Sequence, residues 1–420
     1  MIKRLLQANR EQRKLLVSVG ANFLTRIPGV VGLLWFLPLL RFGLGTDEYA
    51  SLLTSMALAS ASAFLAGGFN MIGRRLVGQA YGNGDRTGES NGLASVVVAN
   101  TIAIIPTLIV IGTYCWICSS SLAFLIVSSL SAIGLYLAVF DNVRAAYNEN
   151  YVNAILLIVF QTIAYAIGFF VPATRHSLVL GSLVLQSPYW LVSLVTLVLL
   201  VRERPYLVHG RAVAVWPVVR DGTRLAIADG FLMATLSLAV VWLQRSGNAM
   251  ISAWFATVVR LFQTLLMPVV LLLIPLSSYI RIVWSSKSAA QQRAYTRVTL
   301  LSGLAYGTLV AVLIFVASRL YVDRLLHLRA AGGLSVFFLF GVIVAYKSYS
   351  SIAYLVLEET VHLSSWTTVA TSAAIALGAV ASVAIDPMSA INVFALAAAL
   401  FLIIVLFWNA ARFVPGSLEA

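Results

Sequence analysis

The chain has 420 residues, 60% of them hydrophobic and only 10% charged, with a formal net charge of +13. Soluble domains carry about 25% charged residues, so the composition excludes a soluble enzyme or a nucleic-acid-binding module. An all-α polytopic membrane protein is expected instead, and the positive charge reads as topology, because cytoplasmic loops collect Lys and Arg.

Twelve apolar runs are long enough to span, at about 15–41, 49–73, 93–115, 121–140, 151–171, 178–201, 225–243, 250–275, 298–317, 334–357, 366–385 and 390–411. With the N-terminus inside, 19 of the 28 Lys and Arg fall in cytoplasmic segments and 6 on the opposite side. Both termini are therefore expected in the cytoplasm.

The first run follows the basic stretch MIKRLLQANREQRK. It is too long for a cleaved signal and contains Arg26 and Pro28, so it reads as the first helix. Ser18, Asn22, Arg26 and Gly29 recur at helical spacing and share one face. Asp47 and Glu48 follow in the first outer loop, the place where a membrane glycosyltransferase or polymerase would hold catalytic carboxylates. Short outer loops argue against such an acceptor site, and acids at a helix N-terminus are stabilised by its dipole. The glycine-rich AYGNGD lacks a following Lys-Ser/Thr and is not a phosphate-binding loop. Cys115 and Cys118 form a C-x-x-C without the strand–helix context of a redox motif, and read as apolar packing.

The most polar connection, 202–224, divides the chain into a six-helix lobe at 1–201 and a second at 225–420. It reads as a cytoplasmic linker with an amphipathic stretch around Val213 to Val219. In the seventh run, Asp229 lies at a depth where it could pair with Arg26 or hold a coupling ion. Thr257, Arg260, Gln263 and Thr264 share a face of the eighth run; Lys347, Ser350, Ser351, Tyr354 and Glu358 share one in the tenth.

Three cations, Arg26, Arg260 and Lys347, thus lie inside apolar runs. Charge at that depth is expensive and faces a protein interior or a wet cavity. Two explanations compete: neutralisation by protein carboxylates, or contact with an anionic substrate. Asn22, Thr257, Gln263, Thr264, Ser351 and Tyr354 would line the same cavity with hydrogen-bonding groups. No metal or cofactor site is spelled out, and no nucleotide site for a driven pump.

The stretch RFGLGTDEYASLLTSMALASASAFLAGGFNMIGRRLVGQAYGNGD resembles the opening repeat of polysaccharide-type flippases of the multidrug/oligosaccharidyl-lipid/polysaccharide exporter superfamily. Gly45, Tyr49, Gly68, Arg74, Gly84 and Asp85 fill the family's landmarks, with Ala50 where glycine usually follows the tyrosine. ISAWFATVVRLFQTLLMPVVLLLIPLSSYI is similar to the family's eighth span, with Arg260 and Pro275 at matching places. The resemblance implies two six-helix halves working by alternating access in a bacterial inner membrane. It implies export of an undecaprenyl-pyrophosphate-linked oligosaccharide for surface polysaccharide synthesis, with no bond made or broken and no cofactor. Lipid-linked oligosaccharide, membrane lipid, a polysaccharide polymerase and chain-length proteins would be its partners. Drug/cation antiporters of the same superfamily typically carry a carboxylate in the first or seventh span, and Asp229 keeps that alternative open.

Overall fold

The computed structural model describes residues 24, 26–147, 149–227, 231–245, 248–284, 289–328, 334–356 and 386–412. Among them every regular element is helical. Backbone polar groups in lipid must be satisfied within the segment, and a helix does this for any apolar sequence. Eight stretches of the described residues are long and apolar enough to cross a membrane, so the chain is a multi-pass membrane protein. The run expected at 366–385 lies outside the described residues.

The chain forms two compact units, Met1–Ala226 and Ile227–Ala420. The first contains α1 (Arg26–Val31), a π-helical turn Gly32–Phe36, α2 (Leu37–Ser62), α3 (Phe64–Gly82), α4 (Arg86–Ile117), α5 (Leu122–Leu137), α6 (Val139–Ala146), α7 (Asn150–Phe170), α8 (Leu178–Glu203) and α9 (Val215–Leu225). Short 3-10 turns, Pro172–Arg175 and Pro205–His209, flank α8. The second unit contains α10 (Phe231–Arg245), α11 (Ala249–Trp284), α12 (Ala289–Ala317), a π-helical turn Ser318–Leu325, α13 (Leu334–Val356) and α14 (Pro387–Arg412).

The first two expected spans join more tightly than the sequence indicates. Ile27–Ser62 is one apolar stretch of 36 residues, about 54 Å at 1.5 Å per residue. That exceeds a hydrocarbon core of about 30 Å, so it holds two crossing segments. They meet at Gly45, whose φ of +81° is open to glycine and strained for other residues. Asp47 and Glu48 lie exposed in the first turn beyond that break, where the helix dipole favours acids.

A second break falls at Ala63 (φ −97°, ψ 19°), inside the run expected to be one helix. The break frees the Ser62 carbonyl, which accepts from the Thr107 hydroxyl at 3.2 Å. Thr107 also meets the Tyr136 hydroxyl at 2.8 Å. Beside them Asn100 donates to Asn70 at 2.9 Å, and Asn70 donates to the Leu135 carbonyl at 3.4 Å. The core of this unit thus carries a polar seam joining α3, α4 and α5.

The 202–224 segment, read from the sequence as a linker, is folded onto the first unit. Val218 and Gly222 form the buried face of α9. A Cβ at Gly68 would lie 2.0 Å from the Gly222 carbonyl oxygen, so α3 and α9 approach backbone to backbone. The Ala214 amide donates to Ser95 Oγ at 3.0 Å and the Arg211 amide to Asn91 Oδ1 at 2.7 Å, tying the segment to α4 as well.

In the second unit, Phe262 of α11 stacks on Phe340 of α13 with ring centroids 4.4 Å apart. Gly307 of α12 and Gly341 of α13 meet closely enough that a Cβ at Gly307 would lie 2.4 Å from the Gly341 carbonyl oxygen. Helix α13 is therefore gripped between α11 and α12.

Candidate functional site

The expected cavity residues divide between what the structure describes and what it does not. Asn22 and Asp229 lie outside the described residues. Arg26 opens α1, and Ser351 and Tyr354 sit in the last turns of α13; their backbones are helical. The remaining five, Thr257, Arg260, Gln263, Thr264 and Lys347, all belong to the second unit.

Thr257 is buried and its hydroxyl donates to the Ala253 carbonyl at 2.7 Å. Thr264 donates to the Arg260 carbonyl at 2.9 Å. Both hydroxyls thus complete their own helix, which is how Thr tolerates an apolar span. Arg260 and Gln263 are part-buried on the same helix. Lys347 is 7% exposed on α13.

The stacked Phe262 and Phe340 fix the relative height of these cations. On the sequence topology α11 and α13 run in the same direction. Lys347 then lies about 10 Å beyond the ring pair and Arg260 about 3 Å before it, at 1.5 Å per residue. The two cations occupy different depths of one unit, separated by roughly 13 Å along the helices.

Three features of the first unit escaped the sequence reading. The first is Arg74 of α3, assigned there to a cytoplasmic segment and a family landmark. It is part-buried on a stripe that includes Asn70, Gly78 and Tyr81. Asn70 reaches Leu135, Gly78 faces Ala146 and Tyr81 packs on Tyr147, so the stripe is directed at α5 and α6. Arg74 lies about 12 Å from the polar end of its helix. It makes no hydrogen bond or ion pair among the described residues.

The second feature is a carboxylate nest. Asp141 Oδ2 accepts from Ser193 Oγ at 2.8 Å, while Asp141 Oδ1 is buried with no hydrogen-bond partner among the described residues. Asn153 donates to the Asp141 backbone carbonyl at 3.0 Å and accepts from Thr196 Oγ1 at 2.9 Å. Three helices, α6, α7 and α8, thereby converge on one acid.

The third is a charged cluster where α4, α6, α7 and α8 end. Glu89, 2% exposed, accepts from the hydroxyls of Tyr147 at 2.8 Å and Tyr206 at 2.7 Å. Arg204 pairs with Glu149 at 2.7 Å and Glu203 at 3.3 Å, and lies 3.9 Å over the Tyr147 ring. Arg144 reaches Glu203 at 3.0 Å and Glu149 at 3.4 Å. Burial, and then the hydrogen bond to Glu89 and its charge, push the Tyr206 phenol up to about 12 and raise Tyr147 as well. Burial alone would lower Arg204, but its contacts with Glu149 outweigh that and raise it.

The sequence did contain a signal for the last two features. FDNVRAAYNEN is an unusually polar ending for a span, and Ser193 and Thr196 share a helix face at i,i+3. Which acid meets which base required the packing.

The loops assigned to opposite sides also separate in space within this unit. His176 Nδ1 lies 3.0 Å from the Gly43 carbonyl oxygen, joining two expected outer turns. Arg144, Glu149, Glu203 and Arg204 join expected inner ones. The free thiols Cys115, buried, and Cys118 belong to the expected outer end.

No protein-family model matches the sequence, and no curated protein matches it. Solved structures do resemble it. An inward-facing multidrug resistance MATE family transporter of the MOP superfamily superposes with a TM-score of 0.65 at 13% identity, over 93% of this chain and 97% of that one. A eukaryotic MATE transporter gives 0.61 at 13% identity, over 96% and 98%. An outward-facing structure of a multidrug resistance MATE family transporter gives 0.57 at 13% identity, over 96% and 94%. Across nearly its whole length, this chain has the fold of the MATE transporters of the MOP superfamily.

Proposed function

We propose that the chain is a membrane transporter, not an enzyme, that carries an anionic lipid-linked oligosaccharide from the inner to the outer leaflet for surface polysaccharide synthesis. The observation that carries this reading is Arg74. A part-buried guanidinium about 12 Å from the end of its helix, with no hydrogen bond or ion pair among the described residues, is suited to an anion that arrives and leaves. Arg260 and the buried Lys347 supply cations in the second unit, and Arg26 opens the first helix.

The substrate class follows from the chemistry. A pyrophosphate headgroup matches guanidinium forks and a lysine point charge. Sugars need donors and acceptors, which Gln263 and the polar faces around Asn22, Ser351 and Tyr354 would provide. The lipid tail can remain in the bilayer. Outward movement of an anion is favoured by about 2.3 kcal/mol per charge per 100 mV across an inside-negative membrane.

Gene deletion is expected to leave lipid-linked repeat units made but trapped on the inner leaflet, with surface polysaccharide lost. Arg74→Gln and Arg260→Gln should abolish export while folded protein remains in the membrane. Lys347→Arg should be tolerated better than Lys347→Ala. Loss of polymerisation in isolated membranes would instead point to an enzyme using Asp47 and Glu48.

A second reading, a cation-coupled multidrug antiporter, is favoured by the carboxylate Asp141 within the spans of the first unit. The structural neighbours described as multidrug resistance transporters favour it too. Drug sensitivity as the sole phenotype of the deletion would select it. Asp229 would then be a second candidate for the coupling ion.

A further inference from the structure

We propose that residues 211–216 form a docking surface for an anionic phospholipid, with Arg211 on the lipid phosphate and Val213 and Trp216 set into the membrane interface. Helix α4 fixes the depth. Its exposed apolar residues Val98, Ile102, Ile105 and Ile109 recur at i, i+4, i+7 and i+11 and form one ridge. On a membrane-spanning helix such a ridge faces lipid. Trp116, 83% exposed, closes the ridge at one end, while Asn91 and Ser95 continue it at the other. From Trp116 to Ser95 is about 32 Å of helix, which matches a hydrocarbon core of about 30 Å. Trp is enriched at membrane–water interfaces, so Ser95 marks the second interface.

The 211–216 stretch is fastened at that level. A Cβ at Gly210 would lie 2.0 Å from the Ser90 carbonyl oxygen, so the chain runs against the backbone of α4. The Arg211 amide donates to Asn91 Oδ1 at 2.7 Å and the Ala214 amide to Ser95 Oγ at 3.0 Å. Val213 and Trp216, flanking Ala214, are 70% and 71% exposed. Covering two such side chains is favourable, and at the end of a lipid-facing ridge the interface itself covers them.

The charge falls where a phosphate would be. Asn91 lies about 6 Å beyond Ser95, within a headgroup layer of about 5–8 Å, and Arg211 is bound beside it. Arg211 is exposed and makes no ion pair among the described residues. Nearby acids are engaged elsewhere: Glu89 by two tyrosines, Glu149 and Glu203 by Arg144 and Arg204. Asp221 is taken by Arg220 at 2.8 Å. Arg86, exposed at the start of α4, lies about 14 Å beyond Ser95, outside that layer. On the sequence topology this is the cytoplasmic leaflet, whose anionic lipids attract such cations.

The test uses no transport substrate, so its failure leaves the reading of the cargo untouched. Full-length protein in detergent is titrated with phosphatidylglycerol or phosphatidylcholine, and retained lipid is counted by native mass spectrometry. Phosphatidylglycerol should be retained in preference, less so as salt rises. Arg211→Gln should weaken its retention about fivefold, the effect of one cation at an anionic surface, and leave phosphatidylcholine unchanged. Arg211→Lys should keep most of the preference, and Arg86→Gln should leave it unchanged. In nanodiscs, phosphatidylglycerol brominated near its headgroup should quench wild-type fluorescence more than that of Trp216→Phe. Equal retention of the two lipids, a preference unaltered by Arg211→Gln, or equal quenching of wild type and Trp216→Phe would overturn the proposal.

Discussion

Removing the two tyrosine hydroxyls that face Glu89 should cost more together than the sum of their separate effects. Glu89 is 2% exposed and takes Tyr147 at 2.8 Å and Tyr206 at 2.7 Å. A hydrogen bond to a charged group contributes about 1.5–3 kcal/mol, so Tyr147→Phe, the more buried case, should lose about that much. Tyr206→Phe should lose about half as much, because its ring is part-exposed and water can replace it. In either single variant one donor still solvates the carboxylate. The double variant strands a buried charge, and a coupling of about 1 kcal/mol or more beyond additivity is expected. Adding Glu89→Gln to the double variant should recover part of the loss by removing the charge. Thiol-dye thermal unfolding in mild detergent measures this, since Cys115 is 6% exposed in the folded protein. Additive losses within about 0.5 kcal/mol, or no recovery on Glu89→Gln, would refute the reasoning.

The same cluster predicts alkaline behaviour. The Tyr206 phenol is raised from 10.0 to about 12, so the folded state holds that proton more tightly than the unfolded chain. Its contribution is fully present below about pH 10 and is lost as pH rises towards 12; the stability gap between wild type and Tyr206→Phe should close over that window in alkaline unfolding titrations. Gly68→Val should force α9 off α3, because its Cβ would lie 2.0 Å from the Gly222 carbonyl oxygen; overpacking of about 1–3 kcal/mol and faster proteolysis within 205–214 are expected. For topology, single cysteines at Arg211 and Arg175 should be labelled by an impermeant thiol reagent from opposite sides of the membrane, with Arg211 protected in intact cells. Labelling of both from outside would remove the orientation drawn from the basic bias.

The sequence by itself determined the class of the molecule. Apolar runs of about twenty residues leave no choice but helices in lipid, and the Lys and Arg bias orders their ends. The landmarks Gly45 and Gly68 were also legible, and their reasons are structural: one takes a positive φ where two segments meet, the other admits α9. The cations inside runs could be seen because charge in an apolar run stands out against its neighbours. The tertiary structure decided what the sequence could not, which groups meet. Arg74 read as a cation of a cytoplasmic segment, and only the packing showed it part-buried in one helix running to Gly82; 202–224 read as a linker, and only the packing showed Gly222 against Gly68. Asp141 gave no signal of its own, since a lone acid near a span's end is ordinary. Only the convergence of α6, α7 and α8 shows that one of its oxygens is satisfied and the other is not. Local pattern records what each residue prefers, whereas compensation of a charge depends on contacts between segments dozens of residues apart.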